Sequence, residues 1–254
     1  MLTTDIAIGR KTGKSVIGAF TELDKRFSFL GYLSALIPII IFPYYCVIGG
    51  WVLKYFLAYL TGDGTIAAAD GYFTEYITAQ YQPIVLMVVF LFVTAFIIFR
   101  GVNKGIESYS KVLMPILLVL VVGISIFSLT IRYTDGVGVT RTGWEGFCIY
   151  VIPNLEDLTI KGFFTVLVDA MGQLFFSLSV AMGIMITYGS YVKDDEKLVK
   201  SINQIEIFDT VVAFLAGVMI IPAVYTFMGR EGMQSYGPSL MFVSLPKVFA
   251  SMGR

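Results

Sequence analysis

The sequence predicts an all-α, polytopic membrane protein, a helix bundle with about five transmembrane helices. Of its 254 residues, 57% are hydrophobic and only 14% are charged, and the mean hydropathy is +0.80. A soluble domain usually has about 25% charged residues, so this chain lacks the polar side chains that would cover a water-facing surface. Five stretches also approach or exceed the length of about 20 predominantly apolar residues that crosses a bilayer.

The five predicted spans follow one another along most of the chain. The second is short for a membrane helix, whereas the first and fourth are long enough to require a strong tilt or a break. In order, the spans cover residues 31–60, 83–100, 104–131, 161–192 and 202–227.

The distribution of basic residues predicts the orientation in the membrane. Eleven Lys and Arg residues flank the spans on the side of the amino end, against six on the other side, and the side richer in these residues is normally cytoplasmic. We therefore expect a single integral membrane domain over residues 1–254 in the plasma membrane. Its cytoplasmic loop covers 1–29, five spans lie within 31–228, and an extracellular loop covers 229–254.

The composition also excludes several classes of function. The chain has no His, which argues against most zinc sites and against serine hydrolases with a His base. Its formal net charge is zero, so a nucleic-acid partner is not expected. Cys46 and Cys148 are the two cysteines, too few for a disulfide framework. We expect no cofactor.

The fourth predicted span contains the stretch GQLFFSLSVAMGIMITYGSYV, which is rich in glycine and hydroxyl side chains. A helix break leaves backbone groups unpaired, and at membrane depth these are tolerated only inside protein or along a water-filled cavity. Transporters use such breaks to bind substrate anions and sodium. Close helix packing through small residues would explain the same composition. Both interpretations stay open: a broken helix near residues 179–183, or a packed one.

The same stretch resembles the sixth transmembrane segment of the neurotransmitter:sodium symporter family, which has the leucine-transporter fold. Five other stretches resemble family segments in the same order. They are AIGRKTGKSVIGAF (end of segment two and first intracellular loop), IFPYYCVIGGW (segment three), GVNKGIESYSKVLMPILLVL (start of segment five), DTVVAFLAGVMIIPAV (segment seven) and YGPSLMFVSLPKVFA (fourth extracellular loop). The resemblance implies a central fragment, about segments three to seven, with a partial inverted-repeat fold.

Two functions follow from this resemblance. The first is sodium-coupled symport of an amino acid or a related small amine-bearing solute, with Na⁺ as the coupling ion, of which this chain is the central part. The alternative is a non-transporting truncated fragment, or a structural membrane subunit that packs with other helices in the lipid. The missing segments would then be encoded elsewhere or be absent. The candidate polar residues suit binding better than bond breaking, so an enzyme is not expected.

The resemblance also implies a substrate site. Tyr45 corresponds to the tyrosine whose hydroxyl binds the substrate carboxylate, and Ile41, one helical turn earlier, would line the same pocket. Phe176 corresponds to the aromatic lid over the substrate, and the carbonyl groups around Ser179 would face its ammonium group. Met182 would contact the apolar part of the substrate, although a packing role explains a Met equally well.

For sodium, the resemblance implies Ser177 and Asp209 as oxygen ligands, with no other metal expected. Asp209 lies inside an apolar stretch, where an unpaired carboxylate costs at least about 3 kcal/mol. As an acid, it would supply the negative charge that chloride provides in other family members. The alternative is an ordinary acid near the cytoplasmic end of a helix, with Glu206 as its neighbour.

Gating residues are implied at both sides of the membrane. Gln173 resembles a residue near the outer gate, or else makes a hydrogen bond between helices. Tyr188 and Tyr191 fall near the inner gate. Gly105 and Pro115 flank the start of the third span, where glycine and proline permit unwinding; a simple proline kink is the alternative.

Overall fold

The computed structural model describes residues 1–101, 106–136, 138–153, 159–193, 195–233 and 239–252. Across these ranges the chain is predominantly helical, which confirms the predicted all-α membrane fold. Its β structure within the described residues is a two-stranded hairpin.

The helices and strands follow one another along the chain. They are α1 (Leu2–Thr12), α2 (Val16–Leu23), a 3₁₀ turn (Lys25–Phe27), α3 (Ser28–Leu60), α4 (Gly64–Ala67), α5 (Tyr72–Thr78), α6 (Gln82–Phe99), α7 (Ser108–Thr130), β1 (Arg132–Thr134), β2 (Thr140–Thr142), α8 (Gly143–Val151), α9 (Ile160–Ser177), α10 (Ile184–Gly189), α11 (Leu198–Gly232) and α12 (Ser239–Met252).

Five helices of the described chain are long and apolar enough to cross a membrane: α3, α6, α7, α9 and α11. They match the five predicted spans, except that the fourth predicted span is divided between α9 and α10. α3 continues as a helix through Pro38 and Pro43. Neither α6 nor α9 has a buried residue, so their apolar side chains are available to lipid or to other helices.

The chain forms two compact units, one of residues 1–44 and 154–211 and the other of residues 45–153 and 212–254. Each unit has its own apolar clusters. Those of the first unit are Leu2, Ile6, Leu178, Val180 and Ile202, and Val16, Ala19 and Ile186; those of the second are Tyr55, Ala58, Ala67, Phe73 and Phe242, and Ile131, Ala223 and Val248.

In the first unit, the segment expected to be a cytoplasmic loop forms α1 and α2. α1 ends at Gly13, which has a left-handed φ of 62° and donates its N–H to the carbonyl of Gly9, a frequent glycine helix stop. α1 packs closely along α10. A Cβ added to Gly9 would overlap the backbone carbonyl of Ile186, and one added to Gly189 would meet the backbone of Ile6. The two helices therefore touch backbone to backbone.

In the second unit, serine hydroxyls join α7 to α11. Ser125 Oγ donates to the carbonyl of Leu215 at 3.0 Å, and Ser128 Oγ donates to that of Met219 at 3.0 Å. Both serines are buried. Hydroxyl contacts of this kind are a common link between helices where water is excluded.

The β1–β2 hairpin follows α7 and was not predicted from the sequence. The strands pair in antiparallel register, with Arg132 opposite Thr142. An ion pair of 3.0 Å between Arg141 and Asp135 holds the turn. Thr142 then caps α8 through a reciprocal pair of hydrogen bonds with Glu145, which fixes where the next helix begins.

Candidate functional site

The centre of the candidate site is the break between α9 and α10. α9 ends at Ser177 and α10 begins at Ile184. Between them, Ser179 and Ala181 adopt positive φ values of 52° and 61°. Left-handed backbone costs a non-glycine residue roughly 1–2 kcal/mol, so neighbouring contacts must hold this conformation. The broken-helix interpretation of the glycine- and serine-rich stretch is therefore confirmed over close packing of an unbroken helix.

The N–H groups of the break are largely satisfied, whereas its carbonyl groups are not. The N–H groups of Leu178, Ser179 and Val180 donate back to carbonyls at the end of α9, at 3.0–3.2 Å. The N–H of Ala181 donates to Asp5 Oδ2 at 3.0 Å. Within the part of the chain that the structure describes, the carbonyls of Ser179, Val180 and Ala181 accept no hydrogen bond. These oxygens can therefore bind a cation or an ammonium group.

Asp5 is a site residue that the sequence interpretation missed. It projects from α1, which packs against α10 through Gly9 and Gly189. No site residue was predicted before Ile41. Asp5 lies four residues before Gly9, and residues at this spacing share one face of a helix, but the spacing points to a role for Asp5 only once the packing of α1 on α10 is known.

Ser177 and Asp209 meet at the end of α9. Ser177 Oγ donates to Asp209 Oδ1 at 2.6 Å, a short bond of the kind expected between a hydroxyl and a carboxylate. Asp209 lies on α11, about 16 Å along the helix from Leu198 at 1.5 Å per residue. It belongs to the apolar candidate span of that helix and is half-buried. The hydroxyl and the carboxylate thus meet at the end of α9, and Ser177 lies two residues before the first unpaired carbonyl of the break.

The other residues predicted on α9 and α10 lie around the break. Gln173 lies one helical turn before Ser177, on the same face of α9, and its side chain is exposed. The Phe176 side chain is 40% exposed, whereas Met182 is half-buried. Tyr188 belongs to α10, Tyr191 follows it, and both side chains are exposed.

The predicted residues on α3 and α7 are positioned by regular helix. Ile41 and Tyr45 are one turn apart on α3, and half of the Tyr45 side chain is exposed. Pro115 lies inside α7, which continues through it. Gly105 lies outside the described residues.

The chain is similar to known proteins in sequence and in fold. A sequence profile of the Sodium:neurotransmitter symporter family matches residues 73–254. An uncharacterized sodium-dependent transporter of Bacillus subtilis strain 168 is 31% identical over 258 residues, which cover 99% of this chain and 53% of the relative. An uncharacterized sodium-dependent transporter of Haemophilus influenzae is 32% identical, over 99% of this chain and 55% of the relative.

A solved structure extends the likeness to three dimensions. The crystal structure of MhsT in complex with L-phenylalanine superimposes with a TM-score of 0.84 at 33% identity, over 98% of this chain and 54% of MhsT. The chain thus spans about half the length of the relatives it matches. The family profile, the two relatives and the shared fold together show that this chain belongs to the sodium:neurotransmitter symporter family.

Proposed function

We propose that this chain is the central part of a sodium-coupled symporter that carries an amino acid or a related small amine-bearing solute across the plasma membrane. The observation that carries the proposal is the broken helix, which has unpaired carbonyls and starts where Ser177 meets Asp209. Support comes from relatives named as sodium-dependent transporters and from MhsT, whose structure holds phenylalanine. By the basic-residue distribution, the amino end is cytoplasmic and the carboxyl end extracellular.

The proposed sodium ligands are the Ser177 hydroxyl, the Asp209 carboxylate and carbonyl oxygens of the break. Hard cations take oxygen ligands of these three kinds. The residues fit a cation, because the carboxylate and the hydroxyl are in contact and the unpaired carbonyls follow Ser177 within four residues. The charge of Asp209 offsets that of Na⁺, so transport does not require chloride.

The proposed substrate ligands are a tyrosine hydroxyl and backbone carbonyl oxygens. The Tyr45 hydroxyl donates to the substrate carboxylate, and carbonyls around Ser179 accept from the substrate ammonium group. Ile41 and Met182 contact the apolar part of the solute, and Phe176 covers it. Gln173 serves the outer gate. At the inner side the gating residues are Tyr188, Tyr191, Gly105 and Pro115.

Sodium-dependent binding tests this proposal directly. The purified 254-residue chain is reconstituted in liposomes, and binding and uptake of tritiated amino acids are measured with sodium or with potassium. We expect sodium-dependent binding that Asp209→Asn weakens. Glu206→Gln is the matched control, since Glu206 is an exposed acid one turn earlier on α11. Absence of sodium-dependent binding would contradict the proposal, and sodium-dependent binding without uptake would favour the alternative of a fragment that does not transport by itself.

A further inference from the structure

A groove in the second unit is unrelated to the broken helix. It lies where α3 ends and α6 begins, with a volume of about 430 Å³. A second cavity of about 410 Å³ adjoins it and shares Lys54, Tyr72 and Gln82. Lys54 lies six residues before the end of α3, and Gln82 is the first residue of α6. Since both helices are candidate spans, the groove lies at a boundary between membrane and water.

Lys54 is held in the groove without a carboxylate. Its Nζ lies 5.5 Å and 5.7 Å from the ring centres of Tyr72 and Tyr76, and it donates to Gln82 Oε1 at 3.4 Å. No ion pair forms at Lys54 within the described ranges. An ammonium group has three N–H donors, so at least one remains for a ligand.

The aromatic wall beside Lys54 is fixed in place. Tyr76 is buried, and its hydroxyl donates to the carbonyl of Gly50 at 3.3 Å. Burial raises the pKa of Tyr76 above its usual value, and the neighbouring Tyr72 adds to the effect. The Tyr76 hydroxyl therefore stays neutral and keeps its hydrogen bond. The tyrosine rings and Gln82 therefore hold the Lys54 ammonium group at a defined position in the groove.

The groove is also lined by apolar and acidic side chains. Leu57 and Val85 are apolar lining residues, and their side chains are 45% and 56% exposed. Asp63 lines the same groove and accepts from Thr61 Oγ1 at 2.8 Å. Glu75 lines the adjoining cavity. These acids oppose a purely anionic ligand and complement a ligand that carries both a negative and a positive group.

We propose that the groove binds an amine-bearing zwitterionic phospholipid. The lipid phosphate binds Lys54, its primary ammonium group donates to the Asp63 carboxylate, and an acyl chain lies along Leu57 and Val85. Phosphatidylethanolamine has this chemistry. Phosphatidylglycerol lacks the ammonium group, and phosphatidylcholine carries a quaternary nitrogen that has no N–H to donate.

Native mass spectrometry of the full 254-residue chain in detergent tests the proposal. The chain is titrated with the ethanolamine, choline and glycerol phospholipids, all with dioleoyl chains. We expect the ethanolamine lipid to bind tightest, and Lys54→Gln to weaken it about tenfold through loss of a charged hydrogen bond. Lys161→Gln is the matched control, because Lys161 is an exposed lysine near the start of the α9 span.

Asp63→Asn gives a second, independent test at an exposed residue. It should remove the preference for the ethanolamine lipid over the choline lipid while binding of the choline lipid persists. Equal loss of lipid in Lys54→Gln and Lys161→Gln would overturn the proposal. Tighter binding of the glycerol lipid than of the ethanolamine lipid would also overturn the proposal. A dimer of the chain that Lys54→Gln dissociates would overturn it too, because a second copy would then occupy the groove.

Discussion

The hydrogen bond from the Ala181 N–H to Asp5 should help to hold the helix break in its left-handed conformation. Asp5→Ala removes the acceptor at 3.0 Å. A hydrogen bond to a charged group contributes about 1.5–3 kcal/mol, and the lower end applies here because the bond is exposed. A loss of about 1.5 kcal/mol corresponds to roughly a tenfold change in an equilibrium. Local opening of residues 178–183 should therefore become about tenfold more frequent.

Hydrogen exchange measures this opening, because amide protons exchange when a segment opens locally. Peptides that cover residues 178–183 should lose protection in Asp5→Ala and keep part of it in Asp5→Asn, which retains an oxygen acceptor. Asp24→Ala is the matched control, since Asp24 accepts a comparable bond of 2.8 Å from the Arg26 N–H in the 3₁₀ turn. Unchanged exchange in Asp5→Ala would refute the reasoning, and so would an equal effect of Asp24→Ala.

Three further predictions concern the substrate, the ion and the packing. Tyr45→Phe should weaken amino-acid binding at saturating sodium by about 10- to 150-fold, since it removes a hydroxyl donor to a charged group. The parent chain should bind amino acid independently of chloride, whereas Asp209→Ser should bind weakly and be partly rescued by chloride, as measured with chloride exchanged for gluconate. Gly9→Ala should lower the thermal stability of the chain, because its Cβ would overlap the carbonyl of Ile186. Gly123→Ala is the control, since its Cβ meets nothing within 4 Å and alanine stabilises a helix interior by about 1 kcal/mol relative to glycine.

Each of these has an outcome that contradicts it. Unchanged amino-acid affinity in Tyr45→Phe would remove that residue from the substrate site. Strict chloride dependence of the parent, or full chloride-free binding by Asp209→Ser, would make Asp209 an ordinary helix acid. If Gly9→Ala melts at the same temperature as Gly123→Ala, the backbone contact between α1 and α10 does not form.

Hydropathy and local composition were sufficient to predict the features that depend only on residues close together in the sequence. The five spans follow from apolar length, whereas Gly183 and the serines, which weaken a helix wherever it lies, made a break one of two open interpretations. The chemistry of Asp209 as an acid in an apolar stretch could also be anticipated. These inferences need no knowledge of which helix lies beside which.

The sequence was insufficient where a role depends on contact between distant parts of the chain. Asp5 and Ala181 are far apart in sequence, and their bond exists only because α1 packs on α10. Gly9 alone did not predict that packing, because a glycine near a helix end is equally consistent with the termination of the helix. The β1–β2 hairpin was also missed, because its strands are three residues each, shorter than the runs of four to eight residues that a period-two pattern identifies.

The contact between α1 and α10 also limits how α10, the second half of the broken helix, can move. Successive residues of a helix are about 100° apart around its axis. Turning α1 by that angle would bring Ile8 or Arg10 to the place of Gly9, where even a methyl group overlaps the carbonyl of Ile186. Neither helix can therefore rotate about its own axis against the other without a steric clash. Any tilt of α10 must carry α1 with it, so the first helix of the chain moves together with α10.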